Sequence, residues 1–153
     1  MNATGTANLS NLETLERWIE ILNSSAFDKL EEVLHPDYVQ EIPQSRERVR
    51  GIENMRQVLA HYPGGFQLAR FERLGMVGSA AHYFMTASFS VVKVQGSDDI
   101  LGVYMKAHYP DGSDWYYASF LEFRDHKIVK GTDFFAPLFD APEWRAEWVE
   151  RME

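Results

Sequence analysis

The chain has 153 residues, 45% of them hydrophobic, and a formal net charge of -8. It therefore fits one domain with a sizeable core, and it lacks the basic surface that nucleic acid or an anionic membrane requires. The absence of cysteine excludes disulfides, a thiol nucleophile and thiolate metal ligands. No window approaches the roughly 20 apolar residues of a membrane span, and the start of the chain, Met1 to Leu9, lacks the basic-then-apolar order of a signal peptide, so the expected location is the cytoplasm.

Residues 1–9 carry little apolar weight and read as a flexible tail. Ser10 and Glu13 form a capping box that opens a first helix, in which Leu12, Leu15, Ile19 and Leu22 recur at helical spacing with Trp18 beside them, ending near Asn23. Ser25 as N-cap predicts a second, short helix that buries Phe27, Leu30 and Leu34 and stops at His35-Pro36. Tyr38 to Pro43 reads as an edge strand, and the charged stretch Gln44 to Arg50 as a loop. Gly51 opens a third helix with Ile52, Met55, Leu59 and Tyr62 on one side, halted by Pro63-Gly64-Gly65. Gln67 to Gly75 is a weak strand pattern, and His82 to Val94 a stronger one that ends in the turn Gln95-Gly96-Ser97-Asp98.

The remaining strands are the clearest part of the chain. Ile100 to Tyr109 and Trp115 to Arg124 flank Pro110-Asp111-Gly112-Ser113, a hairpin turn by its proline and glycine, and Lys127 to Ala136 follows after Arg124-Asp125-His126. Alternation places Trp115, Tyr117, Ser119, Leu121 and Phe123 on one face, and Tyr116, Ala118, Phe120, Glu122 and Arg124 on the other. Both faces are substantially apolar. One is expected to meet the helices and the other, with Tyr104, a second copy of the chain, giving a homodimer through the outer sheet face. Aromatic residues make up 14% of the chain and fall heavily in these strands, where rings fill a core or line a pocket for an apolar ligand. Residues 137–153, with Leu138, Phe139, Trp144 and Trp148, are too apolar for a free tail and should dock on the chain's own sheet, on a partner or at a pocket mouth.

This order of helices followed by a long antiparallel sheet resembles the nuclear transport factor 2-like cone, and specifically its SnoaL-like family, over about residues 10–150. The stretches that carry the resemblance are Phe27-Asp28-Lys29-Leu30 leading to Leu34-His35-Pro36-Asp37, Glu41-Ile42-Pro43-Gln44-Ser45 up to Arg50-Gly51, and Lys127-Ile128-Val129 running into Asp133-Phe134-Phe135. It implies an α+β fold in which a cone-shaped, curved antiparallel or mixed sheet packs against three N-terminal helices as one domain from residue 10 to 153. The cone hosts isomerases, cyclases and hydrolases as well as proteins without chemistry, so fold alone does not choose an activity.

Matching by position narrows the choice. The isomerase tyrosine falls at Trp18, its base at Ile42 and its late-sheet acid at Ser119, so that mechanism is not expected. The Arg-x-Asp of epoxide hydrolases is replaced by Val103, Met105 and Ala107. What the resemblance leaves is Asp133 on the last strand, a catalytic position in several cone enzymes. The cyclases pair such an acid with a histidine, but His108 alternates outward here.

Two readings of Asp133 follow, an acid or base for a small oxygenated organic ligand or a structural buried carboxylate in a binding or dimerisation module. In the first, the Trp18 N–H or the Tyr117 hydroxyl steadies developing oxygen charge, and Ile42, Val103, Met105, Trp115, Ser119, Leu121 and Phe135 line the pocket. Glu41 is a weaker candidate, better read as an ion-pair partner of Arg46, Arg48 or Arg50. His35, His61, His82 and His126 stand at element ends without metal-ligand spacing, so neither a metal nor another cofactor is expected.

Overall fold

The structure is a computed structural model and describes residues 10–62, 88–97, 99–109 and 112–152. The expected tail at 1–9, the helix stop at 63–65, the strand at 67–75 and the beginning of the one drawn from His82 lie outside the described residues.

Helix α1 spans Asn11–Ser24 and starts with the capping box, Ser10 Oγ accepting from the Glu13 N–H at 3.2 Å and the Glu13 carboxylate accepting from the Ser10 N–H at 2.7 Å. Its buried face is Thr14, Leu15, Trp18, Ile19, Ile21 and Leu22, whereas Leu12 is about half exposed. The Thr14 hydroxyl donates to the His126 carbonyl at 2.6 Å, tying the helix to a distant turn of the sheet. Ser25 is not the N-cap of a second helix. It sits at φ 54° as the left-handed C-cap of α1, and a 3-10 helix, Phe27–Glu32, follows with Leu30 buried.

Strand β1, Leu34–Ile42, begins four residues before the expected Tyr38 and runs through Pro36. The pairing explains this. β1 lies parallel to the last strand, and its register breaks between Leu34 and Val39, so Pro36 falls in a bulge where its missing N–H breaks no ladder. Nor is β1 an edge. The presumed loop contains a strand, β2 (Glu47–Arg50), which pairs with β1 and takes the edge itself. Helix α2, Ile52–Ala60, starts from Gly51 at φ 84°, whose N–H donates to the Tyr38 carbonyl, and buries Met55 and Leu59.

Strands β3 (Ser88–Ser97), β4 (Ile100–His108), β5 (Asp114–Arg124) and β6 (Lys127–Pro137) form the expected antiparallel meander. β3 extends three residues beyond Val94, with Ser97 opposite Ile100. Asp125 and His126, at φ 52° and 58°, make the left-handed pair of a tight two-residue hairpin. Among the described residues the sheet order is β2-β1-β6-β5-β4-β3, a mixed sheet that curls without closing and gives the α+β cone.

Burial alternates along β5 as expected. Trp115, Tyr117, Ser119, Leu121 and Phe123 face inward, while Tyr116 and Phe120 are exposed. The main core joins α1, the 3-10 helix and α2 to the inner faces of β1, β4, β5 and β6. Val103, Met105 and Leu121 belong to it.

The segment after β6 does not pack on its own sheet. A 3-10 turn, Glu143–Trp148, places no residue in the core, and Phe139, Trp144 and Trp148 are 81%, 75% and 74% exposed in the single chain. Among the described residues no helix is long and apolar enough to cross a membrane.

Candidate functional site

Asp133 is 2% exposed and stands directly across the β5–β6 ladder from Ser119, whose hydroxyl donates to Oδ1 at 2.6 Å. The Gln40 amide donates to Oδ2, and the Tyr117 hydroxyl stands close enough to the carboxyl group to help hold its charge. Each residue arrives through a simple geometric cause. Ser119 and Tyr117 are alternate inward positions of β5, and Gln40 is on the inward face of β1, opposite Gly131 and two residues before Ile42. Gly131 lacks a side chain, and the Tyr38 hydroxyl and Asp133 Oδ1 approach the place where its Cβ would stand, at 3.6 and 3.7 Å.

The electrostatics follow from this packing. Burial raises the proton affinity of Asp133 above the ordinary carboxylate range, and the bonds from Ser119, Gln40 and Tyr117 only partly oppose it. Among the described residues no cation pairs with it. Burial and the Asp133 charge also push the Tyr117 and Tyr38 hydroxyls well above the usual phenol range, which keeps both phenols protonated.

A cavity of about 150 Å³ lies against this network, with Trp18, Gln40, Ile42, Met55, Tyr117 and Phe135 among its walls. A larger space of about 440 Å³, lined also by Gln44, Ser45 and Glu47, adjoins it across Ile42, Tyr62, Tyr109 and Phe135, which line both. Phe135 packs on Tyr117 with ring centroids 4.7 Å apart. Gln44 fixes the Phe135 backbone from both sides, donating to its carbonyl at 2.8 Å and accepting from its N–H at 2.7 Å.

The structure thus brings Trp18, Ile42, Tyr117 and Phe135 to one cavity and places Asp133 behind Gln40 and Tyr117 rather than on the wall. Five expected lining residues lie elsewhere. Val103, Met105 and Leu121 are core, Ser119 faces Asp133, and Trp115 packs edge-on against Tyr109 in a separate small cluster. Glu41 points away from the cavity, paired with Arg48 at 2.8 Å and Lys130 at 3.6 Å, because the bulge of β1 ends before it. His108 faces outward and contacts Asp114 at 2.7 Å. Gln40 and Tyr38 are the residues that sequence reasoning missed. The signal was available, since counting back by twos from the inward Ile42 reaches both. Among the described residues there is no cluster of His, Asp and Glu able to hold a metal.

Solved structures share the architecture. A nuclear transport factor 2-like protein of unknown function from Burkholderia xenovorans is 26% identical, with 94% of this chain and 95% of that one aligned at a TM-score of 0.70. A provisionally named ketosteroid isomerase from Kribbella flavida, 20% identical, covers 94% of this chain and 90% of its own at 0.72. An epoxide hydrolase of the limonene-epoxide-hydrolase-like type from Mycobacterium tuberculosis, 14% identical, covers 82% and 81% at 0.59. No curated protein matches the sequence. The profile of the SnoaL-like domain matches residues 15–131, from the first helix to the glycine beside Asp133, and the chain belongs to that family of the nuclear transport factor 2-like superfamily.

Proposed function

We propose that this protein binds a small apolar molecule carrying an oxygen function and moves a proton on it by cofactor-independent acid/base chemistry, with Asp133 as the proton store. The observation that carries this reading is the chain from Asp133 to Tyr117, whose other side is cavity wall. A ligand enol would give its proton to the Tyr117 oxygen while Tyr117 passes its own proton to the Asp133 carboxylate. The ligand becomes an enolate, Tyr117 is unchanged, and Asp133 holds a proton that can return to carbon. An acid whose proton affinity burial raises above the ordinary carboxylate range suits that shuttle.

The competing reading is a non-catalytic binding module. It is supported by the position of Asp133, which stands one side chain away from the cavity and fully hydrogen-bonded. Deuterium exchange at carbon next to the carbonyl of cyclic ketones, followed by NMR, separates the two. Acceleration by the parent and its loss in Tyr117→Phe and Asp133→Asn supports catalysis. Ligand binding without acceleration supports the module.

The partner proposed for the outer sheet face is a second copy of the chain. Tyr104, Tyr116 and Phe120 are 39%, 40% and 52% exposed on adjacent strands, and their rings pair with one another or with Phe134, so they form one apolar patch rather than scattered residues.

A further inference from the structure

We propose that the inner chamber accepts a single six-membered ring whose oxygen points at Gln40 and Tyr117, with any further bulk carried along the ring's long axis into the adjoining space. This rests on the chamber being the ligand site proposed above, and it names the ligand's shape and chemistry.

Size gives the first constraint. A chamber of about 150 Å³ is the volume at which an apolar protein cavity holds one benzene ring, and a fused polycycle cannot enter it whole. Its walls give the second. Trp18 comes from the helix side and Phe135 from the sheet, so a flat ring meets aromatic surface on opposed elements. Polarity gives the third. Gln40 and Tyr117 are each 7% exposed and both line the chamber, Gln40 is hydrogen-bonded to the Asp133 carboxyl group and the Tyr117 hydroxyl stands beside it, so their polar ends converge at the Asp133 end. A ring with no oxygen there would cover those polar groups without offering them a hydrogen bond. The adjoining space, about 440 Å³, is where a substituent opposite the oxygen would go.

The test is an NMR titration of the full chain, read at the Trp18 indole resonance, with toluene, para-cresol, para-phenylphenol and a phenol carrying tert-butyl groups at both meta positions. The expected result is that para-cresol binds about tenfold more tightly than toluene, the worth of one hydrogen bond. para-Phenylphenol should bind at least as well as para-cresol, and the wide phenol should not bind. Tyr117→Phe should erase the preference for para-cresol while leaving toluene unchanged. Gln40→Met gives a second reading should the first variant fold poorly. Equal affinity for toluene and para-cresol overturns the placement of the oxygen. Tight binding of the wide phenol overturns the single-ring limit but leaves the proposed function standing. If no probe shifts Trp18, the chamber is not the ligand site and the functional reading falls with it.

Discussion

Asp133 and Asp114 belong to one β-hairpin, and their environments send their proton affinities in opposite directions. Asp133 is held inside by neutral donors, and burial raises its affinity. Asp114 lies at the rim, where His108 and Lys106 at 2.7 and 3.1 Å lower it. Glu41 repeats the second case on β1, lowered chiefly by Arg48. On the inner face desolvation outweighs hydrogen bonding because, among the described residues, no cation comes with the carboxylate, and on the outer face solvent removes most of the desolvation so that the nearby cation decides the sign. One sheet therefore presents a carboxyl group suited to holding a proton on one side and ordinary surface anions on the other.

The largest effect is expected where the outer face is made to resemble the inner one least. Phe120→Asp puts a charge in the apolar patch, and the species of twice 17.7 kDa expected for the parent by light scattering should fall to the monomer mass. A parent that already scatters as a monomer at micromolar concentration removes the dimer proposal.

Inside, Ser119→Ala removes the donor to Oδ1 and should cost about 2 kcal/mol at alkaline pH, where Asp133 is ionised and the bond lost is one to a charged, buried acceptor. Urea unfolding of parent and variant measures it. The cost should shrink at acid pH, where Asp133 is protonated and depends less on donors. A loss that stays the same across pH would mean that Ser119 contributes packing only.

Asp133→Asn acts through pH. The folded state holds the Asp133 proton more tightly than the unfolded chain, whose ordinary value is 3.8, so this residue's contribution is complete below that value and is lost as pH rises through its folded-state titration. The asparagine variant lacks that decline. Its stability relative to the parent should therefore grow with pH over that window, as followed by thermal melts. A constant difference would show that Asp133 titrates as an ordinary carboxylate.

The two faces were also unequally legible. Strands β4 to β6 could be read because alternation, a Pro/Gly turn and aromatic weight agree there, and Asp133 and Tyr117 could be placed by parity together with the resemblance to the SnoaL-like family. β1 and β2 were misread for one physical reason. Edge strands carry charges to discourage further pairing, so Glu47-Arg48-Val49-Arg50 has the composition of a loop, and with β2 unseen β1 looked like the edge. Gln40 was hidden by the same error. A polar residue on an edge strand invites no attention, and its partner Asp133 is 93 positions away, reached only through the parallel β1–β6 pairing. The shape of the chamber lay beyond pattern reading, since Val103, Met105 and Leu121 share the parity of true wall residues and differ only in their depth within the core.

Glu41→Gln is the smallest expected effect and the sharpest control for the comparison. Glu41 sits one residue from Gln40 on β1 but faces the other way, and its partners Arg48 and Lys130 are themselves 49% and 39% exposed. Solvent and salt screen such pairs, and ordering two long side chains offsets much of the attraction, so the thermal midpoint at neutral pH should not change resolvably. The sign of its pH dependence should still oppose that of Asp133. A lowered carboxylate contributes stability above its ordinary range and loses it as pH falls, so any difference between parent and variant should close toward acid rather than toward neutrality. Deuterium exchange and cresol binding should be untouched, because the side chain is separated from the chamber by the sheet. If Glu41→Gln instead abolishes either, the outward carboxylate of β1 belongs to the chemistry, and the division between the two faces proposed here is wrong.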